Sequence, residues 1–129
     1  MRLLLDTHIF LWYVTADTRL PMALRDSIRD PANEVYLSVV SIWEALVKHQ
    51  TGKLILPNLP EAYLLGQRDR HNILSLALDE ESVAQLPTLP PLHRDPFDRM
   101  LICQAKYHRL TIASRDAAIQ SYPVTVIDE

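Results

Sequence analysis

Glycine is nearly absent from this chain. Only Gly52 and Gly66 occur in 129 residues, which excludes phosphate-cradling loops that need several glycines together. Cysteine is scarcer still: the single Cys103 rules out an internal disulfide, disfavours a structural zinc centre and fits a reduced, intracellular protein. Apolar runs such as Leu3-Leu4-Leu5 and Met100 to Cys103 fall far short of the ~20 residues a membrane span needs. Asp6 and His8 interrupt the N-terminal run where the apolar part of a secretory signal would lie. An excess of positive charge is missing too. Lys and Arg number 13 against 16 Asp and Glu, a net charge of -3, so nucleic acid cannot be held by bulk charge. A nucleic-acid substrate would need divalent cations, or a local basic rim, to offset the repulsion.

What is present is ordinary for a globular chain: 48% hydrophobic and 22% charged residues, enough to build a core. Length predicts one domain over residues 1–129, and the lone cysteine and interrupted N-terminal apolar run lead to the expectation of a cytoplasmic location. There is no repeat, and prolines punctuate the chain, most densely across Leu86 to Leu92. Arg2 to Leu5 reads as a buried strand, and Thr7 is positioned to cap a helix reaching Val14. Helices are expected from Pro21 to Arg29, Val40 to Gln50, Pro60 to Arg70, Asp79 to Leu86 and Pro96 to Arg109, with a short one after Ser114. Strands are expected at Glu34 to Ser38, Ile73 to Leu76, Leu110 to Ala113 and Val124 to Ile127. Short apolar strands alternating with helices predict an α/β sandwich around a mostly parallel sheet. Such sheets collect functional groups at the carboxyl ends of their strands.

Four carboxylates stand where a strand ends or a helix begins: Asp6, Glu44, Asp98 and Asp116. On a parallel sheet all four can meet at one edge. Crowded carboxylates repel one another unless cations neutralise them, and hard oxygen ligands suit Mg²⁺ or Mn²⁺. The chemistry that fits is metal-assisted phosphodiester hydrolysis. Each acid also has a structural explanation. Ser41-x-x-Glu44 has the form of a capping box, and Glu44 and Lys48 have the spacing of a solvated ion pair. Asp116 can serve a helix dipole. Taken singly, Glu44 and Asp116 are better explained that way. Asp6, after three leucines, and Asp98, on the apolar flank of its helix with Ile102 and Ala105, point to function instead.

Four ordered blocks carry a family resemblance. They are Leu3 to Trp12, Leu37 to Glu44 followed by Lys48 and Gly52-Lys53-Leu54, His93 to Leu101, and Thr111 to Asp116. Together they resemble the PIN domain family, and within it the VapC-type toxins of bacterial toxin–antitoxin pairs. The resemblance implies a three-layer α/β/α sandwich and Mg²⁺- or Mn²⁺-dependent endoribonuclease activity on RNA. It implies Asp6, Glu44 and Asp98 as the core acidic residues and Asp116 as the fourth, with Thr7 and Ser114 in support. It further implies a homodimer and neutralisation by a small antitoxin. Asp95 is an extra carboxylate, read either as a support to the metal ligands or, as the better reading, only as a helix cap.

His93, Arg94, Arg99 and Arg115 could hold RNA phosphates; for Arg94 and Arg99 a solvated surface is an equal reading. His8 and His49 read as packing or surface residues. Trp12, Tyr13 and Trp43 read as core or partner contacts rather than base-stacking platforms, and Cys103 as an inert core thiol. An aspartyl-nucleophile phosphatase would also place an acid after strand one, but wants a second acid where His8 stands. A receiver-type phosphoacceptor lacks its adjacent acidic pair. A non-catalytic RNA- or partner-binding member of the fold stays open at this point.

Overall fold

The computed structural model describes residues 1–128. In chain order the elements are β1 (Arg2–Leu5), α1 (Thr7–Val14), α2 (Met22–Arg29), β2 (Glu34–Ser38), α3 (Val39–Gln50), α4 (Pro60–Arg70), β3 (Leu74–Leu76) and α5 (Glu80–Val83). A 3₁₀ turn at Leu86–Thr88 follows, then α6 (Pro96–His108), β4 (Thr111–Ala113), α7 (Ala117–Gln120) and β5 (Val126–Ile127). The strands form one sheet in the order β3-β2-β1-β4-β5, every neighbouring pair parallel.

Alternation along the strands builds two cores. Leu3 and Leu5 point to one face, where Val35, Leu37, Ile9, Phe10, Leu24 and Leu64 join them. Leu4 points to the other, packed with Leu101, Ile102, Cys103, Ile112 and Ile119. A central strand buried on both faces reads as an unbroken apolar run for this reason. The three-layer α/β/α arrangement follows, with α1, α2 and α4 against the first face and α6 and α7 against the second. Helix α3 contributes to both, through Ala45 and Val40.

The sheet has a topological switch point. From β1 the chain first builds outward through β2 and β3, then crosses back to place β4 and β5 on the opposite side. The carboxyl ends of β1 and β4 therefore flank a crevice, since crossovers from adjacent strands run in opposite directions there. Asp6 and Ser114 are the residues that leave those two strands.

Several boundaries differ from expectation for local reasons. The cap of α1 is Asp6, whose carboxylate accepts from the His8 amide; Thr7 is the first helical residue, which turns its hydroxyl inward. The cap of α3 is Ser38, so Ser41 and Glu44 are not a capping box. Helix α5 stops at Val83, well short of Leu86, and the chain continues as the 3₁₀ turn, since Pro87 has no amide to extend an α-helical ladder. Strands β3, β4 and β5 are trimmed to two or three residues. Arg109 closes α6 in the left-handed region (φ 57°) instead of extending it. Among the described residues, no helix is long and apolar enough to cross a membrane.

Candidate metal centre

Asp6 is held at the mouth of the switch point. It is 4% exposed, its Oδ2 accepts from Ser114 Oγ at 2.8 Å, and its Oδ1 accepts from the His8 amide at 3.3 Å. Ser114 is fully buried and also accepts from the Asp116 amide at 3.0 Å. One hydroxyl thus ties the end of β1 to the turn that presents Asp116. Asp116 caps α7, accepting from the Ala118 amide at 2.9 Å, and its side chain is exposed. Asp6 and Asp116 line one open cleft with His8, Trp12, Arg19 and Arg115.

Glu44 reaches the same region from α3 and is 1% exposed. Its Oε1 accepts from Thr7 Oγ1 at 2.7 Å, and the same hydroxyl lies 2.8 Å from Ser41 Oγ. Its Oε2 pairs with the Lys48 ammonium. The expected i,i+4 pair is therefore real, but it is not a solvated surface pair. Helix α3 itself is anchored by buried Gln104, whose Oε1 accepts from the capping Ser38 hydroxyl and whose Nε2 donates to Ala77 O.

Asp98 arrives in the first turn of α6, on the buried flank with Ile102 and Ala105. Asp95 caps this helix by accepting from the Phe97 and Asp98 amides, as the sequence indicates. His93 folds back from the proline loop to place Nε2 2.8 Å from Asp98 Oδ2. Two groups of ligand atoms lie within 4.8 Å of one another: His93, Asp98 and Asp116, and Glu44, Asp95 and Asp98. Asp98 joins both; Asp6 belongs to neither, though it is near enough for its charge to act on Asp98.

Electrostatics follow from this crowding. Burial lifts the Asp98 carboxyl to about 7; the His93 hydrogen bond pulls against the rise, and the charges of Asp95, Asp6 and Glu44 add to it. The Asp6 carboxyl is also raised, first by burial, against the Ser114 hydrogen bond and with a contribution from Glu44. Burial lowers Lys48, but its bond to Glu44 and the charges of Glu44, Asp95 and Asp98 outweigh that, and the net shift is upward.

The four sequence-selected acids are thus brought to one edge, with Thr7 and Ser114 directly on two of them. The arginines divide. Arg115 is exposed and lines the cleft. Arg94 is exposed in the proline loop, and Arg99 is half-buried, its Nε without a partner. Sequence reasoning missed Ser41, and Arg19 on the cleft wall. It also read His93 as a phosphate contact, whereas its ring sits on Asp98. Only the loop's return path brings them together, and no periodicity signals it. Trp43 is not core: it is 59% exposed, edge-on to Phe97 at 4.8 Å. Trp12 and Tyr13 are half-buried against the first core, and Cys103 is fully buried with its thiol pushed up by burial.

Fold and site together define a parallel α/β domain that gathers carboxylates at its switch point. The chain belongs to the PIN domain family, whose family model matches residues 3–124. Ribonuclease VapC22 from Mycobacterium tuberculosis is 27% identical over 129 residues, covering 95% of this chain and 96% of that protein. Among solved structures, VapBC2 from Rickettsia felis, bound to a DNA fragment from its promoter, matches with a TM-score of 0.72 at 10% identity, covering 98% of both chains. VapBC-5 from Mycobacterium tuberculosis, a member of the VapBC family of toxin–antitoxin systems, matches with a TM-score of 0.59 at 19% identity, covering 98% of this chain and 95% of that one. At such identities the structural likeness speaks for the fold alone.

Proposed function

We propose that this chain is a divalent-metal-dependent endoribonuclease, the toxin of a toxin–antitoxin pair, hydrolysing RNA phosphodiester bonds at Asp6, Glu44, Asp98 and Asp116. The observation that carries the reading is the convergence of carboxylates from distant segments on buried Asp98, whose own carboxyl is lifted to about 7. Burying like charges together is unfavourable unless a cation shares them. The carboxylate oxygens form a hard donor set that fits Mg²⁺ or Mn²⁺, whereas the His93 imidazole is a softer donor. Asp6, Glu44, Asp98 and Asp116 would hold the ion, with His93 within reach of the same pocket. When bound, a divalent cation supplies charge neutralisation at the phosphate and Lewis-acid activation of water.

The chain's own residues supply orientation. Ser114 fixes Asp6 and Thr7 fixes Glu44, so that neither carboxylate rotates freely; such supporting bonds hold ligand geometry in metal sites. In this reading Arg115, which lines the cleft with Arg19, takes an RNA phosphate, and exposed Arg94 and half-buried Arg99 are further candidates for phosphate contacts. These few cations replace the bulk positive charge the chain lacks. The name of the relative VapC22 supports ribonuclease activity, and the VapBC complexes support an antitoxin partner. An open cleft beside the centre, whose walls combine Leu11, Trp12, Leu54 and Tyr63 with the charged Asp17 and Arg19, offers that partner a surface. A homodimer fits the same reading.

The test is cleavage of assorted RNAs by purified protein, with and without Mn²⁺, beside Asp6→Asn. Metal-dependent cleavage should fall by on the order of a hundredfold or more in the variant. Equal cleavage by both proteins would mean a contaminating nuclease or another site, and cleavage by neither would leave a non-catalytic binder of RNA or of a partner.

A further inference from the structure

Lys48 lies one turn beyond Glu44 on α3, and its ammonium contacts Glu44 Oε2. The other oxygen of that carboxylate takes the Thr7 hydroxyl. Both Glu44 oxygens are therefore engaged. The side chain of Glu44 is 2% exposed and that of Lys48 is 29% exposed, so the pair is shielded from water far more than ordinary i,i+4 pairs. The charges of Asp95 and Asp98 act on the same ammonium, and these two acids with Glu44 make one of the two close ligand groups. Among the described residues, Arg94, Arg99 and Arg115 form no ion pair with the cluster. The positive charge seated against Glu44 inside this crowd belongs to Lys48.

We propose that Lys48 is a positioning residue that acts as the built-in counter-cation of the carboxylate cluster, so that a divalent ion competes with it for Glu44. Lys48 then sets the cation concentration at which the centre fills. This rests on the metal-centre reading above. Two effects follow from Coulomb's law. Removing the ammonium leaves the acids facing one another, which destabilises the metal-free protein. It also removes a repulsive charge from the path of the arriving ion, which tightens binding. A merely structural lysine would give the first effect without the second, because a disordered cluster binds its ion more weakly.

The experiment titrates Mn²⁺ into the full chain, followed by calorimetry and by electron paramagnetic resonance of free Mn²⁺. The proteins are the unmodified chain, Lys48→Gln, Lys48→Met (which keeps the aliphatic stem), Lys48→Arg and Asp98→Asn. Mn²⁺ should bind Lys48→Gln and Lys48→Met about tenfold more tightly than the unmodified chain, and Lys48→Arg within about twofold of it. The metal-free melting temperature should fall in the two neutral variants and recover at saturating Mn²⁺. Unchanged or weaker affinity in both neutral variants, with Asp98→Asn abolishing binding, overturns the role of Lys48 and leaves the metal centre standing. Absence of Mn²⁺ binding by the unmodified chain and by the neutral variants overturns both.

Discussion

The carboxyl of Asp98 titrates near neutrality because burial, and then three neighbouring acids, oppose its charge. Its ordinary value is 3.8 and its folded value about 7, so between those limits the folded protein binds more protons than the unfolded chain. Stability contributed by the protonated form is complete below the lower value and is lost as pH rises through the upper one. The melting temperature of the metal-free protein should therefore decline from about pH 4 to about pH 7, and Asp98→Asn should flatten that decline; an identical slope in the variant would assign it elsewhere. Asp6, raised for the same first cause, adds in the same direction. At Thr7, replacement by Val keeps the shape and strips a buried carboxylate of one donor. Leaving such a group unsatisfied costs about 1–3 kcal/mol, readable as a lower denaturant midpoint. The burial of Asp6 and Asp98 was legible in the sequence because each stands beside apolar strand or helix residues, though the capping role of Asp6 was assigned to Thr7. Lys48 was seen but misread, since spacing alone cannot distinguish a solvated pair from one closed over by a second helix.

Caps decide how the elements present these side chains. Asp95 starts α6 and so aims Asp98, while adding a nearby charge that lifts the Asp98 carboxyl. Cap and charge can be separated. Asp95→Asn should retain stability, because asparagine caps as well as aspartate, whereas Asp95→Ala should lose about 1 kcal/mol in denaturant unfolding. Equal losses in both would show that charge, not the cap, matters there. At this scale the strong elements were legible: β1, α1, α3 and α6 follow the expected periodicity and punctuation. The weak ones shrank, as with α5 before Pro87. The α3 cap was misplaced because Ser38 looks like the end of a strand, and its fixing partner Gln104 lies 66 residues away.

Across the whole molecule, a net charge of -3 and a cluster of acids at the sheet's switch point act against RNA binding until cations intervene. The order β3-β2-β1-β4-β5 is what brings together residues as distant as Asp6 and Asp116, and the alternation of elements made the parallel sheet foreseeable, though not which loop closes over the crevice. The His93 contact with Asp98 depends on that closure. Expression of this chain alone should slow bacterial growth, and Asp6→Asn should relieve the effect; normal growth at high expression of the unmodified chain counts against the toxin reading. Light scattering should give a dimer mass at micromolar concentration, in which exposed Trp43 is a candidate contact; a stable monomer refutes the dimer. The most direct measurement is anomalous diffraction at the manganese edge from crystals soaked in MnCl₂. The expected result is a peak bonded to the carboxylate of Asp98 together with Asp6 or Asp116. Saturating Mn²⁺ with no peak at that crevice, or a peak only on unrelated surface acids, contradicts it.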